Sequence, residues 1–164
     1  MKKYLILENG TVFTGEAIGA SGDVIAEIVF NTAMTGYMET LTDKSYTGQA
    51  VVQTFPLIGN YGVIPEDTES DAVSVSAYIV RECCEVPSNF RSGGSLDSYL
   101  KQTGTVGLSG IDTRALTRIL RECGTMNGAI TDNPDKISMD EIKSYRIVNP
   151  VAKVSTKSSR TIGN

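Results

Sequence analysis

The order of its hydrophobic patterns is the feature that most constrains the fold of this chain. Strand-type patterns dominate the first half, at residues 4–8, 11–15, 24–31, 49–55 and 73–80. Strand-type and helical patterns alternate in the second half, at residues 96–103, 106–108, 113–123, 126–131 and 138–145. Alternation with period two predicts strands, and a stripe with period 3.6 predicts helices. The sequence therefore predicts an α+β domain built from packed layers.

Local turn and cap signals set the boundaries of several of these elements. Asn9-Gly10 separates the first two strands and predicts a two-residue hairpin turn, because both residues tolerate a positive φ. Asp112 and Gly124 are suited to begin and end a helix over residues 113–123. Ser138 and Glu141 are spaced as a capping box at the start of the last helix.

Length and charge limit the number of domains and the kinds of partner. The 164 residues predict one domain at residues 1–150, followed by a polar linker or tail at 151–164. The net charge of −4 and pI near 4.9 disfavour nucleic acid and anionic membranes as partners, because both need a basic surface. No apolar run approaches the roughly 20 residues of a membrane span. An odd number of cysteines, two of them adjacent, favours a reducing, cytoplasmic location.

The composition also restricts the chemistry, because the chain contains no histidine. A Cys–His or Ser–His pair is therefore impossible, and the commonest general base and metal ligand is missing. Cys83, Cys84 and Cys123 lack the four-ligand spacing of a zinc site and are interpreted as inert. The sequence predicts no catalytic residue and no metal site in this chain.

Residues 31–62 have an unusual mixture of hydroxyl groups, glycines and large side chains. This composition is typical of a partner or ligand surface, although a long loop over the core is an equal alternative. On the first interpretation we expect an exposed apolar patch. The large residues of the segment are Met34, Tyr37, Met38, Tyr46, Phe55 and Tyr61.

Two sets of charged residues have both a functional and a structural interpretation. One face of the predicted helix carries Arg114, Arg118 and Arg121. This face is interpreted either as an anion-binding or docking site or, more simply, as a solvated surface. Arg114 lies in the first turn, where the helix dipole disfavours a cation, and this indicates a specific partner. Glu39 and Asp43 have the i, i+4 spacing of a carboxylate pair, but Asp43 fits a turn or cap better.

Three long segments resemble one family in the same order along the chain. They are NTAMTGYMETLTDKSYTGQ with FPLIGNYG, VPSNFRS at 86–92, and GIDTRALTRILRECGTMNG at 110–128. Together they resemble the amino-terminal part of the small, glutamine-hydrolysing subunit of carbamoyl phosphate synthetase, over residues 1–153. The resemblance implies a layered β/β/α domain of the swivelling type. It also implies that a carboxy-terminal glutaminase domain holds the catalytic triad, so that this chain alone is inactive.

The resemblance assigns roles to three residues of the LTDKSY region and its surroundings. Ser45 is expected to contact glutamine, although Lys44 stands where the family usually has proline. Met34 and Asp43 are candidates for lining the ammonia route or the subunit interface. The expected partners are the large synthetase subunit, the chain's own glutaminase domain and glutamine. No cofactor is expected in this chain, since ATP and Mg belong to the large subunit, and the ligase product feeds arginine and pyrimidine synthesis.

Two other classes of function stay open from the sequence. A standalone enzyme would show saturable turnover, and the absence of histidine counts against it. A protein-interaction module without a catalytic role would bind partners but take no part in carbamoyl phosphate synthesis.

Overall fold

The computed structural model describes residues 1–159 and residue 161 as nine strands, five α-helices and three 3₁₀ turns. The strands are β1 (Lys2–Leu7), β2 (Val12–Gly19), β3 (Val24–Asn31), β4 (Gln49–Gln53), β5 (Leu57–Ile58), β6 (Ala77–Ile79), β7 (Glu82–Cys83), β8 (Val106–Ser109) and β9 (Met126–Thr131). The helices are α1 (Tyr37–Thr42), α2 (Leu96–Gln102), α3 (Thr113–Cys123), α4 (Met139–Ser144) and α5 (Pro150–Val154). The 3₁₀ turns lie at Lys44–Tyr46, Pro65–Asp67 and Pro134–Lys136.

Seven of the strands close into a barrel in the order β1-β2-β8-β6-β4-β3-β9. The run β3-β4-β6-β8 is parallel, whereas β1, β2 and β9 pair antiparallel with their neighbours. The mixed content agrees with the predicted α+β class. The sheet is a barrel, and the layered swivelling arrangement stays a prediction.

Alternation along the strands divides the apolar residues between the barrel interior and its outer face. The interior cluster takes every second residue of the strands, for example Ala50 and Val52 of β4. Val51 of the same strand packs outward, into a second cluster with Tyr78 and residues of α1 and α2. Helix α4 covers another part of the outside, where Ile142 packs on Ile6. The parallel strands are thus buried on both faces, which explains their almost continuous apolar sequences.

Helix α3 covers one end of the barrel. It follows β8 closely, and Leu116 and Leu120 pack into the interior cluster. The Asp112 side chain accepts a hydrogen bond from the Ala115 N–H at 2.9 Å, so the predicted N-cap is confirmed. Because β3, β4, β6 and β8 are parallel, their carboxyl ends meet at this same end of the barrel. Residues just after those strands therefore lie near α3.

Two local predictions need correction, and a third is confirmed. The β1–β2 loop is a three-residue turn in which only Gly10 has a positive φ, since the Leu7 N–H donates to the Thr11 carbonyl. The strand predicted at 73–80 is limited to β6, because the Ser74 amide donates to the Leu41 carbonyl of α1 rather than to a barrel strand. The predicted capping box of α4 is confirmed.

The boundary predicted at residue 150 stays a prediction. Helix α5 begins there, with no buried residue, where the sequence indicates an irregular tail. Residues 160 and 162–164 at the end of that tail lie outside the described residues.

Candidate functional site

The segment from Thr32 to Gly48 connects the parallel strands β3 and β4 and carries Met34, Asp43 and Ser45, the three residues given roles by the resemblance. The Asn31 side chain holds its two ends together. Its Nδ2 donates to Thr40 Oγ1 at 3.1 Å and to the Tyr46 hydroxyl at 3.4 Å. Its Oδ1 accepts from the Ala33 N–H at 2.8 Å. One amide side chain therefore fixes the start of the connection, the helix α1 and the turn that follows.

Helix α1 is anchored in the core by its large side chains. Tyr37, Met38 and Leu41 are at most 1% exposed. Our expectation of an exposed apolar patch is therefore wrong for Tyr37 and Met38, which are core residues. Tyr46 is half-buried. Of the six large residues of the segment, only Met34 is exposed, at 70%.

The start of α1 is capped by a tyrosine from elsewhere in the chain. Gly36 precedes the helix with φ +84° and has no side chain to cap it. The Tyr61 hydroxyl accepts instead, from the N–H groups of Gly36 at 2.8 Å and Tyr37 at 3.2 Å. The rings of Tyr37 and Tyr61 stack with centroids 4.1 Å apart, and the Tyr37 hydroxyl donates to the Gly62 carbonyl at 2.6 Å. Burial raises the pKa of both phenols, so they remain neutral hydrogen-bonding groups.

The turn after α1 presents Ser45 to solvent. Asp43 caps the 3₁₀ turn, and its Oδ1 accepts from the Ser45 N–H at 2.8 Å. The Thr47 hydroxyl donates to the Lys44 carbonyl at 2.7 Å, on the other side of the turn. Ser45 is exposed, and its hydroxyl forms no hydrogen bond within residues 1–159. The backbone here is fixed while the hydroxyl stays available to a ligand.

The structure thus separates the three site residues inferred from the sequence. Asp43 and Ser45 are in contact through the turn, and the interpretation of Asp43 as a cap is confirmed. Met34 lies before α1, at the other end of the connection. No local sequence signal indicates Tyr61 as the cap of α1, because Tyr61 and Gly36 are 25 residues apart in the chain.

Glu39 behaves differently from Asp43, its partner in the i, i+4 pair. Its Oε2 is buried and has no hydrogen-bond partner among the described residues. The carboxylate lies in the first turn of α1, close to Gly36 and near the positive end of the helix dipole. The Asp43 carboxylate thus caps the 3₁₀ turn, whereas the Glu39 carboxylate lies at the start of α1.

The cysteines do not form a reactive centre. Burial raises the pKa of Cys83 to about 11, which disfavours its thiolate. Cys84 is half-buried and donates to the Val86 carbonyl at 3.4 Å. Cys123 is exposed at the end of α3. Across the described residues, no cluster of His, Cys, Asp or Glu is arranged to hold a metal ion.

A groove of about 520 Å³ lies between α3 and the ends of β3, β4 and β6. We call it the arginine groove, because Arg81, Arg114, Arg118 and Arg121 line it. Thr32 and Thr54, which follow β3 and β4, form part of its wall. The sequence had suggested only the three arginines of α3. Arg81 follows β6, one of the parallel strands whose carboxyl ends lie near α3. The direction of these strands could therefore have predicted that Arg81 lies in the groove.

Comparison with known proteins identifies the family. The model of the carbamoyl-phosphate synthase small chain, CPSase domain, matches residues 5–130. The chain therefore belongs to the carbamoyl-phosphate synthase small-chain family, as the resemblance had implied.

Several relatives support this assignment. The carbamoyl phosphate synthase small chain of Syntrophotalea carbinolica is 56% identical over 80% of this chain and 35% of that protein. That of Clostridium perfringens is 52% identical over 95% of this chain and 45% of that protein. That of Chlorobaculum tepidum is 47% identical over 98% of this chain and 45% of that protein. The chain thus spans less than half the length of these relatives.

A solved structure, an aminopeptidase from Aneurinibacillus sp. strain AM-1, aligns with 79% of this chain and 30% of its own. Its TM-score of 0.45 and identity of 21% are too low to indicate a shared fold.

None of the helices within the described residues has the length and apolar character needed to cross a membrane.

Proposed function

We propose that this chain forms the amino-terminal domain of the small chain of a glutamine-dependent carbamoyl phosphate synthase. The small chain would hydrolyse glutamine and pass ammonia to a large synthetase subunit, where ATP and Mg are bound and carbamoyl phosphate is made. This domain would dock on the large subunit and complete the glutamine site. The family match over residues 5–130 carries the proposal.

The chemistry of the chain supports a binding role rather than a catalytic one. It contains no histidine to activate a nucleophile, and the raised pKa of Cys83 makes that thiol a poor one. Acyl transfer from glutamine needs an activated nucleophile and a base. We therefore assign the hydrolytic step to residues of the small chain beyond this domain, and expect this domain alone to be inactive.

Ser45 is suited to contact an amino-acid ligand. The Asp43 cap fixes the turn, so binding through the Ser45 hydroxyl costs little conformational entropy. A hydroxyl can donate to a carboxylate or accept from an ammonium group. Hydrogen bonds to charged groups contribute about 1.5–3 kcal/mol. Met34, exposed on the same connection, and Asp43, which accepts from the Ser45 N–H, are proposed to line the ammonia route or the subunit interface.

Ser45→Ala in the whole small chain, assembled with the large subunit, tests this role. We expect the glutamine KM to rise roughly tenfold to a hundredfold. Synthesis from added ammonia should be nearly unchanged, because it bypasses the glutamine site. A matched control is Thr14→Val, which removes an exposed hydroxyl on β2, across the barrel from β4.

Two results would contradict the proposal. If Ser45→Ala leaves the glutamine KM unchanged, or damages both reactions equally, Ser45 has only a structural role. If the whole small chain binds the large subunit but supports no glutamine-dependent synthesis, the domain is an interaction module without a part in this reaction.

A further inference from the structure

The arginine groove concentrates positive charge on an otherwise acidic protein. Arg81, Arg114, Arg118 and Arg121 are all exposed, while the chain carries a net charge of −4. The ion pairs of the described residues involve Arg91, Lys101 and Lys136 only, so no carboxylate there lies within 4.0 Å of a groove guanidinium. The acids nearest in sequence, Glu82, Asp112 and Glu122, form no ion pair with the four arginines.

This arrangement contributes little to the stability of the fold itself. Four like charges around one groove repel one another, and only an anion or solvent can compensate them. Arg114 also lies in the first turn of α3, where the helix dipole is unfavourable to a cation. The buried side of α3 already holds the helix through Leu116 and Leu120. The arginines are therefore better explained by a binding partner than by packing.

The spacing of the arginines favours an acidic chain segment over a single small anion. Arg118 and Arg121 lie about 6 and 10 Å beyond Arg114 along the helix axis, from the rise per residue. One phosphate or carboxylate cannot span that length. Carboxylates on successive turns of a helix, or on alternate residues of a strand roughly 6.6 Å apart, can match it. Guanidinium groups also pair with carboxylates through two hydrogen bonds, which adds specificity.

The surroundings of the groove indicate where that segment comes from. Thr32 is part of its wall, and the strongly exposed Met34 follows two residues later. The length of two residues keeps Met34 within about 7 Å of Thr32 along the chain, and protein interfaces are enriched in both arginine and methionine. The groove therefore borders the β3–β4 connection, which carries Met34, the residue proposed above for the ammonia route or the subunit interface.

We propose that the arginine groove receives a carboxylate-bearing segment of the large synthetase subunit. This inference rests on the proposed function, because it names the surface through which that docking occurs. Arg114, Arg118 and Arg121 would pair with successive acidic residues of the segment, while Arg81 closes the groove from the β6 side.

Charge reversal in the whole small chain tests the surface. The double variant Arg114→Glu/Arg118→Glu should weaken binding to the large subunit by tenfold or more, and the remaining affinity should depend less on salt. Lys153→Glu, an exposed charge reversal on α5, is the matched control and should bind as the parent does. Thermal melting of each variant separates lost docking from lost folding.

Cross-linking identifies the contact directly. Arg118→Lys keeps the positive charge and introduces an amine that a carbodiimide can couple to a touching carboxylate. The expected product joins position 118 to an aspartate or glutamate of the large subunit.

The outcomes separate this inference from the proposed function. If the parent small chain does not bind the large subunit, the proposed function itself fails. If it binds and the double variant binds equally well, the groove is not the docking surface. If the groove variants abolish binding of pyrophosphate but not of the large subunit, the ligand is a small anion and the proposal is wrong.

Discussion

The β3–β4 connection and helix α3 show opposite relations between composition and exposure. The connection is rich in tyrosine and methionine and looked like an exposed binding face, yet Tyr37 and Met38 are buried and only the short turn at Ser45 is offered to a ligand. Helix α3 has a plain amphipathic sequence, yet its outward arginines join Arg81 in a groove. In the first region the large side chains pack in the core, whereas in the second the charged side chains form the surface.

The largest expected effect tests whether the aromatic residues of the connection are indeed structural. Tyr37→Ala should lower the free energy of unfolding by about 3–5 kcal/mol, because it removes a fully buried ring. Tyr37→Phe keeps the ring and should cost about 1 kcal/mol through the lost bond to Gly62. Chemical denaturation measures both. A loss below 1 kcal/mol for Tyr37→Ala would restore the interpretation of Tyr37 as a surface residue.

Tyr4→Phe provides the control for the hydroxyl effect. Tyr4 is half-buried in β1, and its hydroxyl has no hydrogen bond within residues 1–159. Its removal should change the free energy of unfolding by less than the removal of the Tyr37 hydroxyl does.

These two regions also show what the sequence could and could not predict. The limits of α3 and β3 were predicted residue for residue, because a side-chain cap, a terminal glycine and hydrophobic periodicity are local signals. Helix α1 was missed because its cap is Tyr61, which belongs to another part of the chain. Only the fold decides which large side chains become core and which arginines share a groove.

A smaller effect is expected where the connection meets its proposed ligand. Asp43→Ala removes the cap of the Ser45 turn and should lower the free energy of unfolding by about 1 kcal/mol. It should also raise the glutamine KM of the assembled enzyme, because Ser45 loses its fixed position. Asp43→Asn keeps a capping oxygen and should largely restore both values. A change in stability with an unchanged KM would show that the turn does not position a ligand group.

The smallest effect on stability is expected in α3. Arg114→Glu replaces a cation in the first turn with an anion, which the helix dipole favours by about 0.3–1 kcal/mol. The free energy of unfolding should therefore stay constant or rise slightly, while binding to the large subunit weakens. Arg114→Gln separates loss of the cation from gain of an anion. A clear loss of stability in Arg114→Glu would mean that Arg114 supports the fold.

Hydrogen–deuterium exchange with and without the large subunit tests the central claim, that this end of the barrel is the docked surface. The account predicts slower exchange at residues 32–36 and 113–121 on binding, and no change in the β1–β2 loop at residues 8–11. Protection of that loop, with the amides of α3 unaffected, would contradict it.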